Sequence, residues 1–292
     1  MKVVVIGVSG QLARSLTERS ADDAHVELVA VGRPHLDLER GDDLDTVIAG
    51  LAPDVVINTA AYTAVDAAEG EPDKAFKINA FAAGQVAAAA ERIGAAIIQL
   101  STDYVFDGTT EEPYSEAAQV APLGVYGFSK LAGESQVRAA NPRHAIVRTA
   151  WVYSPFGRNF VKSIMAAACT GQTLRVVGDQ HGSPTSALDL ADGLLRMLTV
   201  GAEWGDTYHL AGAGPVSWFE LAEEVMSVCE SLGLPHAPVQ CITTADWPTR
   251  AVRPRNSVLD SSKFERSFSF TMPPWQDSVR RVVNRLAHSP GA

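Results

Sequence analysis

Cysteine is scarce in this chain: there are three in 292 residues, Cys169, Cys229 and Cys241, far apart in the sequence. No CxxC pair occurs, so neither a disulfide framework nor a zinc site is expected, and the usage suits a reducing compartment. The seven histidines include no pair at HxxxH spacing, which removes a common helical metal-ligand pattern. Long apolar runs are missing too, and none approaches the ~18 residues of a membrane span. The opening Met1-Lys2-Val3-Val4-Val5-Ile6-Gly7 is too brief for a signal segment and runs straight into a glycine turn, so it reads as a strand. Basic residues are in deficit: 24 Lys+Arg against 34 Asp+Glu give a formal net charge of −10. That balance argues against nucleic acid or anionic membrane as a partner, because both demand clustered Lys and Arg. A cytoplasmic protein is expected, and an anionic ligand would need a local basic pocket.

What is present is ordinary globular composition, 46% hydrophobic and 20% charged. At roughly 150 residues per domain the length suggests two domains. β-Branched runs at 2–6, 26–31, 54–58, 96–100 and 145–148 alternate with amphipathic stretches near 10–20, 42–51, 72–93 and 127–140. Strands apolar on both faces, alternating with helices, predict an α/β fold: a doubly wound parallel sheet, Rossmann-like, with a smaller α+β substrate lobe. Residues 1–150 are expected to form the dinucleotide-binding domain, later joined by a strand near 173–177 and a helix near 187–199. Residues 151–292 then supply mainly the substrate lobe. Its elements are expected near 158–169, 207–210, 217–231 and 275–287, with loops over 233–258.

Gly7-Val8-Ser9-Gly10-Gln11-Leu12-Ala13 follows a strand and opens a helix, the context a dinucleotide loop requires. Glycines let backbone approach a pyrophosphate, and the helix N-terminus offers oriented N–H groups; a ligand-free βα turn is the bland alternative. An acidic residue for the ribose of NAD is expected about 20 residues on, yet the second strand ends at Gly32-Arg33-Pro34. Arg33 either pairs with a 2′-phosphate, favouring NADPH while leaving NADH possible, or is a solvated arginine. Asp37 and Leu38 are placed near the adenine.

Tyr126-Gly127-Phe128-Ser129-Lys130 puts Tyr and Lys on one helical face. A phenol near pKa 10 needs help to exchange protons at neutral pH, and a lysine one turn away can supply it. Thr102, in Ser101-Thr102-Asp103, closes the fourth strand at the carboxyl edge where such sheets bind ligands. Arg250, Arg253 and Arg255 crowd a loop of an acidic chain and are candidates to neutralise a diphosphate, or else form a solvated basic loop. Trp204, Trp218, Trp247 and Trp275 are expected to anchor cores.

Several of these segments carry a resemblance. Gly7xxGly10-Gln-Leu, Asn58-Thr-Ala-Ala-Tyr62-Thr-Ala-Val65-Asp66, Ser101-Thr-Asp-Tyr-Val-Phe-Asp-Gly108 and Tyr126-Gly-Phe-Ser-Lys130 resemble the extended short-chain dehydrogenase/reductases. Arg148-Thr-Ala-Trp151-Val-Tyr153, Asn159-Phe160, Asp179-Gln180-His-Gly182-Ser-Pro184-Thr185 and Arg253-Pro-Arg-Asn-Ser257 extend the likeness over nearly the whole chain, within that superfamily to the dTDP-4-dehydrorhamnose reductases. The resemblance implies reduction of the C4 ketone of dTDP-4-dehydro-6-deoxy-L-mannose by NADPH or NADH. It makes Tyr126 the proton donor, Lys130 the ribose anchor and phenol tuner, and Thr102 the partner of the carbonyl. Val65, Asp103, Trp151, Asn159 and Arg253 would meet the dTDP-sugar. Gly7, Gly10, Gln11, Leu12, Asn58, Ala60, Ala61, Tyr62 and Asn79 would lie along the cofactor. Ser15 and Leu188 stand where some members carry metal-bridging carboxylates, so no metal site is expected, and the chain reads as a monomer or weak homodimer without a metal bridge. Two rivals share the fold: a nucleotide-sugar dehydratase or epimerase, and a non-catalytic regulatory subunit of the methionine adenosyltransferase type. A dehydratase needs a second carboxylate after Asp103, where this chain has Tyr104.

Overall fold

In the first strand Val3 to Ile6 are buried on both faces, which only a central strand covered on two sides permits. The computed structural model describes residues 1–21, 23–201 and 203–288; residues 202 and 289–292 of the expected second lobe lie outside them. In chain order the first half runs β1 (Lys2–Ile6), α1 (Gln11–Arg19), β2 (Glu27–Val31), α2 (Leu44–Leu51), β3 (Val55–Asn58), α3 (Val65–Ala68), α4 (Pro72–Phe76), α5 (Ala83–Arg92), β4 (Ala96–Thr102), α6 (Val125–Ala140) and β5 (His144–Thr149). The second half adds β6 (Val152–Tyr153), α7 (Phe160–Ala168), β7 (Leu174–Val177), β8 (His181–Gly182), β9 (Thr185–Ser186), α8 (Ala187–Val200), β10 (Asp206–His209), β11 (Val216–Ser217), α9 (Trp218–Ser231), β12 (Val239–Ile242), α10 (Ser262–Phe268) and α11 (Trp275–His288).

Six strands form one parallel sheet in the order β2-β1-β3-β4-β5-β10. β1 pairs with β2 on one side, Val5 opposite Ala30, and with β3 on the other, Val5 opposite Ile57. The chain therefore winds away from β1 in both directions, and a crevice opens at the carboxyl ends of β1 and β3. Alternate residues of each strand feed two separate cores. Val3, Val5, Ile57, Ile98 and Val147 pack on α1 and α8 through Leu12, Leu16, Leu190 and Leu194. Val4, Ile6, Val56, Ile97 and Ile146 face the other way, onto Ile48, Val86 and Val137. A third cluster, including Val161, Leu174, Val176, Leu221, Val225, Trp275 and Val279, belongs to the second half alone.

Four expectations need correction. The strand near 173–177 does not join the central sheet: β7 pairs with β12, Leu174 opposite Val239, in a separate ribbon. Its partner lies inside 233–258, read as loops because Pro and Thr flank a four-residue strand. The strand expected near 207–210 as part of the second lobe is instead the sixth strand of the sheet, β10 against β5. The helix expected over 72–93 is interrupted by a π-helical turn at Lys77–Ala82. Among the described residues no helix is long and apolar enough to cross a membrane.

Candidate active site

The glycine loop sits at the mouth of the crevice. Gly7 has φ +121°, and a Cβ there would lie 2.6 Å from Thr59 Oγ1, so both conformation and space demand glycine. Gly10 is the N-cap of α1 and offers no capping side chain, while a Cβ built on it would meet nothing within 4 Å. Open space therefore lies before a helix N-terminus whose first N–H groups need acceptors. Leu12 contributes its side chain to the core, so only its backbone is available to a ligand, and the same holds for Leu38. Gln11 is also engaged: its Nε2 donates to Val152 O at 3.2 Å, and its Oε1 accepts from Ser154 Oγ and Asn159 Nδ2. Arg33 is exposed beyond β2, whereas Asp37 Oδ1 accepts from the Glu39 N–H at 2.9 Å within its own loop.

On the opposite lip, Asn58 Oδ1 accepts from Ala60 N, and Asn58 Nδ2 donates to Gln99 Oε1 at 2.8 Å. Asn79, buried in the π-helical turn, accepts from Tyr62 N at 2.8 Å and donates to both Tyr62 O and Ser129 Oγ. The extra residue of that turn aims Asn79 so that it binds the 60–62 loop to α6, a use typical of π-bulges at functional sites. Ala60 and Ala61 thereby present a fixed, half-buried backbone to the crevice.

Thr102, Asp103, Tyr126 and Lys130 come together where β4 ends against α6. Thr102 Oγ1 donates to Asp103 Oδ1 at 3.0 Å and accepts from Tyr104 N. Burial pushes the Tyr126 phenol up to about 12, while the neighbouring Thr102 hydroxyl works the other way. Burial also brings Lys130 down to about 8, against the opposing charge of Glu134. Lys130 Nζ donates to Leu100 O at 2.6 Å, which ties its ammonium to the sheet. Asp103 is 2% exposed, its Oδ2 has no partner, and burial lifts its carboxyl to about 6 despite Ser257 and Thr102. The residue after it, Tyr104, meets Tyr126 edge-on with ring centroids 5.7 Å apart.

Beyond these lies a cleft lined by Val65, Tyr104, Tyr126, Ala251, Val252 and Pro254, among others. Arg253 lies between the lining residues Val252 and Pro254, and its own side chain is bound by Asp66, at 2.7 Å between NH2 and Oδ2. Trp151, at φ +44°, lies flat against Trp218 with ring centroids 3.4 Å apart, and Gly182 backs it: a Cβ there would sit 2.3 Å from the indole. Trp218 therefore supports a candidate pocket wall as well as packing on its own cluster. Trp247, expected in a core, is 55% exposed on its loop. Asn159 caps α7, accepting from Lys162 N, and spends its amide on Gln11 and Ser154 O, which ties the glycine loop to the second half. Among the described residues no group of three or more His, Cys, Asp or Glu is arranged to hold a metal. Near the metal-bridge positions, Glu18 pairs with Arg285 and Asp189 with Arg281.

Sequence reasoning passed over Ser129, Asp66, Glu69 and Glu134. Buried Glu134 holds Arg148 at 2.8 Å and accepts from Ser101 at 2.6 Å, fixing α6 to β4 and β5 beneath the site. Its spacing of four from Lys130 was the available signal.

Residues 1–288 match the family model described as the RmlD substrate binding domain. A dTDP-4-dehydrorhamnose reductase of Sinorhizobium fredii (strain NBRC 101917 / NGR234) is 43% identical over 288 residues, 97% of each chain. The chain belongs to the dTDP-4-dehydrorhamnose reductase family. Solved members superpose closely. The reductase of Clostridium acetobutylicum ATCC 824 matches with TM-score 0.90 and 37% identity, covering 98% of this chain and 100% of its own. That of Bacillus anthracis str. Ames, in complex with NADP, gives TM-score 0.90 and 33% identity, covering 97% and 99%. In this member of the family Thr102, Tyr126 and Lys130 lie together where β4 meets α6.

Proposed function

We propose that the chain reduces the C4 ketone of dTDP-4-dehydro-6-deoxy-L-mannose to dTDP-L-rhamnose in the cytoplasm, with NADPH as cofactor. The observation that carries this reading is Tyr126 and Lys130 of α6 gathered with Thr102 where β4 ends, across the crevice from an uncapped glycine-loop helix. The loop residues Gly7 and Gly10 with the first N–H groups of α1 would hold the pyrophosphate, and Arg33 a 2′-phosphate. Asn58, Ala60, Ala61 and Tyr62 would flank the cofactor, and Lys130 its ribose. NADPH supplies the hydride when bound.

Thr102 and Tyr126 orient the ketone oxygen with two hydroxyls. Tyr126 keeps its proton in the resting site, because burial holds the phenol well above neutral pH. It releases that proton when negative charge develops on the oxygen beside it, while Thr102 stabilises the same charge. Val65, Asp103 and Trp151 would border the sugar, and Arg253 its diphosphate. Residues 1–150 with α8 and β10 then serve the cofactor, and most of the remainder serves the sugar nucleotide.

The test follows NADPH oxidation with dTDP-4-dehydrorhamnose as substrate. Wild type should turn over, and Tyr126→Phe should lose roughly 10²–10⁴-fold in kcat with NADPH affinity retained. An unaffected variant, or a wild type that returns its cofactor unchanged after converting a dTDP-sugar, overturns the reading.

A further inference from the structure

Asp66 and Glu69 stand one turn apart around α3, and the reaction as described uses neither. Asp66 reaches the loop that carries the arginines. Its Oδ1 accepts from the Ala251 N–H at 3.1 Å and from Arg253 at 3.2 Å, and its Oδ2 accepts from Arg253 at 2.7 Å. Glu69 reaches the helix that carries Tyr126 and Lys130. Its Oε1 accepts from the N–H of Val125, the first residue of α6, at 2.8 Å. The N-cap of α6 is Gly124, which has no side chain to offer, and a Cβ there would lie 2.5 Å from Glu69 Oε1. The carboxylate thus occupies the space that a capping side chain would fill.

We propose that Asp66 and Glu69 are positioning residues: a two-ended brace in which α3 holds the Arg253 loop against the cleft with one carboxylate and caps the helix bearing Tyr126 with the other. The inference rests on the roles given above to Tyr126 and Arg253. Partly exposed ion pairs add little to stability, so the brace acts on geometry more than on folding. A carboxylate at a helix N-terminus suits both the orphan N–H groups and the helix dipole. Because the two contacts point to different machinery, their losses are distinguishable. Asp66 governs where the nucleotide's anion is met, and Glu69 governs where the phenol stands. Displacement of a reacting group lowers turnover even when binding is intact.

Asp66→Ala should raise KM for the dTDP-4-keto sugar about tenfold with kcat within about twofold, whereas Glu69→Ala should lower kcat about tenfold with that KM little changed. Glu69→Gln keeps an acceptor oxygen and should recover most of the turnover. Gly124→Ala, which displaces the Glu69 carboxylate without removing it, should reproduce the kcat loss. Hydrogen exchange gives an independent readout: the Ala251 amide should accelerate in Asp66→Ala alone, and the Val125 amide in Glu69→Ala alone. Kinetic constants that fall together in both variants, constants that do not move, or amide protection unchanged in its own variant would overturn the brace. A wild type unable to reduce the ketone would overturn the functional reading instead, and the two amide signatures would still decide the brace.

Discussion

Asp103 concentrates the energetic conflict of the site in one side chain. It is buried beside Thr102 and Ser257 with one carboxylate oxygen unpaired, and burial raises its carboxyl to about 6. In the unfolded chain an aspartate titrates near 3.9. Between those values the folded protein holds a proton that the unfolded chain has released, so stability falls as pH rises through the window. Above about 6 the loss is complete, on the order of 3 kcal/mol. Asp103→Asn should therefore flatten the decline in urea-unfolding free energy between about pH 4 and 6. It should also be the more stable protein at pH 7 while binding the sugar nucleotide less tightly, since strain of this kind is kept where function needs it. Identical pH slopes for the two proteins would count against this account. That Thr102 closes a strand and Tyr126 and Lys130 share a helix face was legible in the sequence, whereas Asp103 was singled out by the family resemblance alone. What they bond to was not legible. Leu12 and Leu38 lie in motif positions yet spend their side chains on the core, and Arg253 is met by Asp66 from 187 residues away.

The elements show a similar division. Strands of the first half follow from runs buried on both faces, and their parallel order follows from the helices between them. The four residues of β7 carry the same signal in any sheet, so their pairing with β12 depends on a partner hidden among prolines and threonines. The π-helical turn at Lys77–Ala82 was also invisible, because an alanine-rich stretch fits an α-helix equally well. Its position is set by contact: α6 crosses it at Gly133, where a Cβ would fall 2.0 Å from Asn79 O. That obstacle is backbone and cannot rotate away. Gly133→Ala should cost roughly 1–3 kcal/mol or more, and it should weaken NADPH binding because Asn79 holds the Tyr62 loop. Gly50, exposed in α2 with nothing near its Cβ position, provides the contrast. Gly50→Ala should stabilise by about 0.5–1 kcal/mol through helix propensity alone. Denaturant melts and NADPH titrations of both variants decide the point; an equal gain in each would remove the helix crossing from the explanation.

Across the whole molecule, a net charge of −10 coexists with a function that demands two phosphorylated ligands. On the proposed reading local structure resolves the tension: an uncapped helix N-terminus, Lys130, exposed Arg33 and the Arg253 loop would meet the phosphates. The two ligands must also be held in register, and Gln11 is placed to do so. It opens the helix of the glycine loop, yet its side chain makes three hydrogen bonds to Val152, Ser154 and Asn159 in the second half. Glu18, two turns along the same helix, makes an exposed pair with Arg285 on α11. The two links differ in kind. Gln11 fixes the glycine loop to the segment leading from Trp151, whereas the Glu18 pair joins partly exposed faces of α1 and α11. Gln11→Ala should lower unfolding free energy by about 1–3 kcal/mol and weaken both NADPH and the dTDP-sugar several-fold. Glu18→Ala should change stability by less than about 1 kcal/mol and neither affinity. Calorimetric titration of each ligand into each variant checks this. Equal effects from the two substitutions would mean that the lobes are held by general packing, with no particular part for Gln11 in aligning cofactor and sugar.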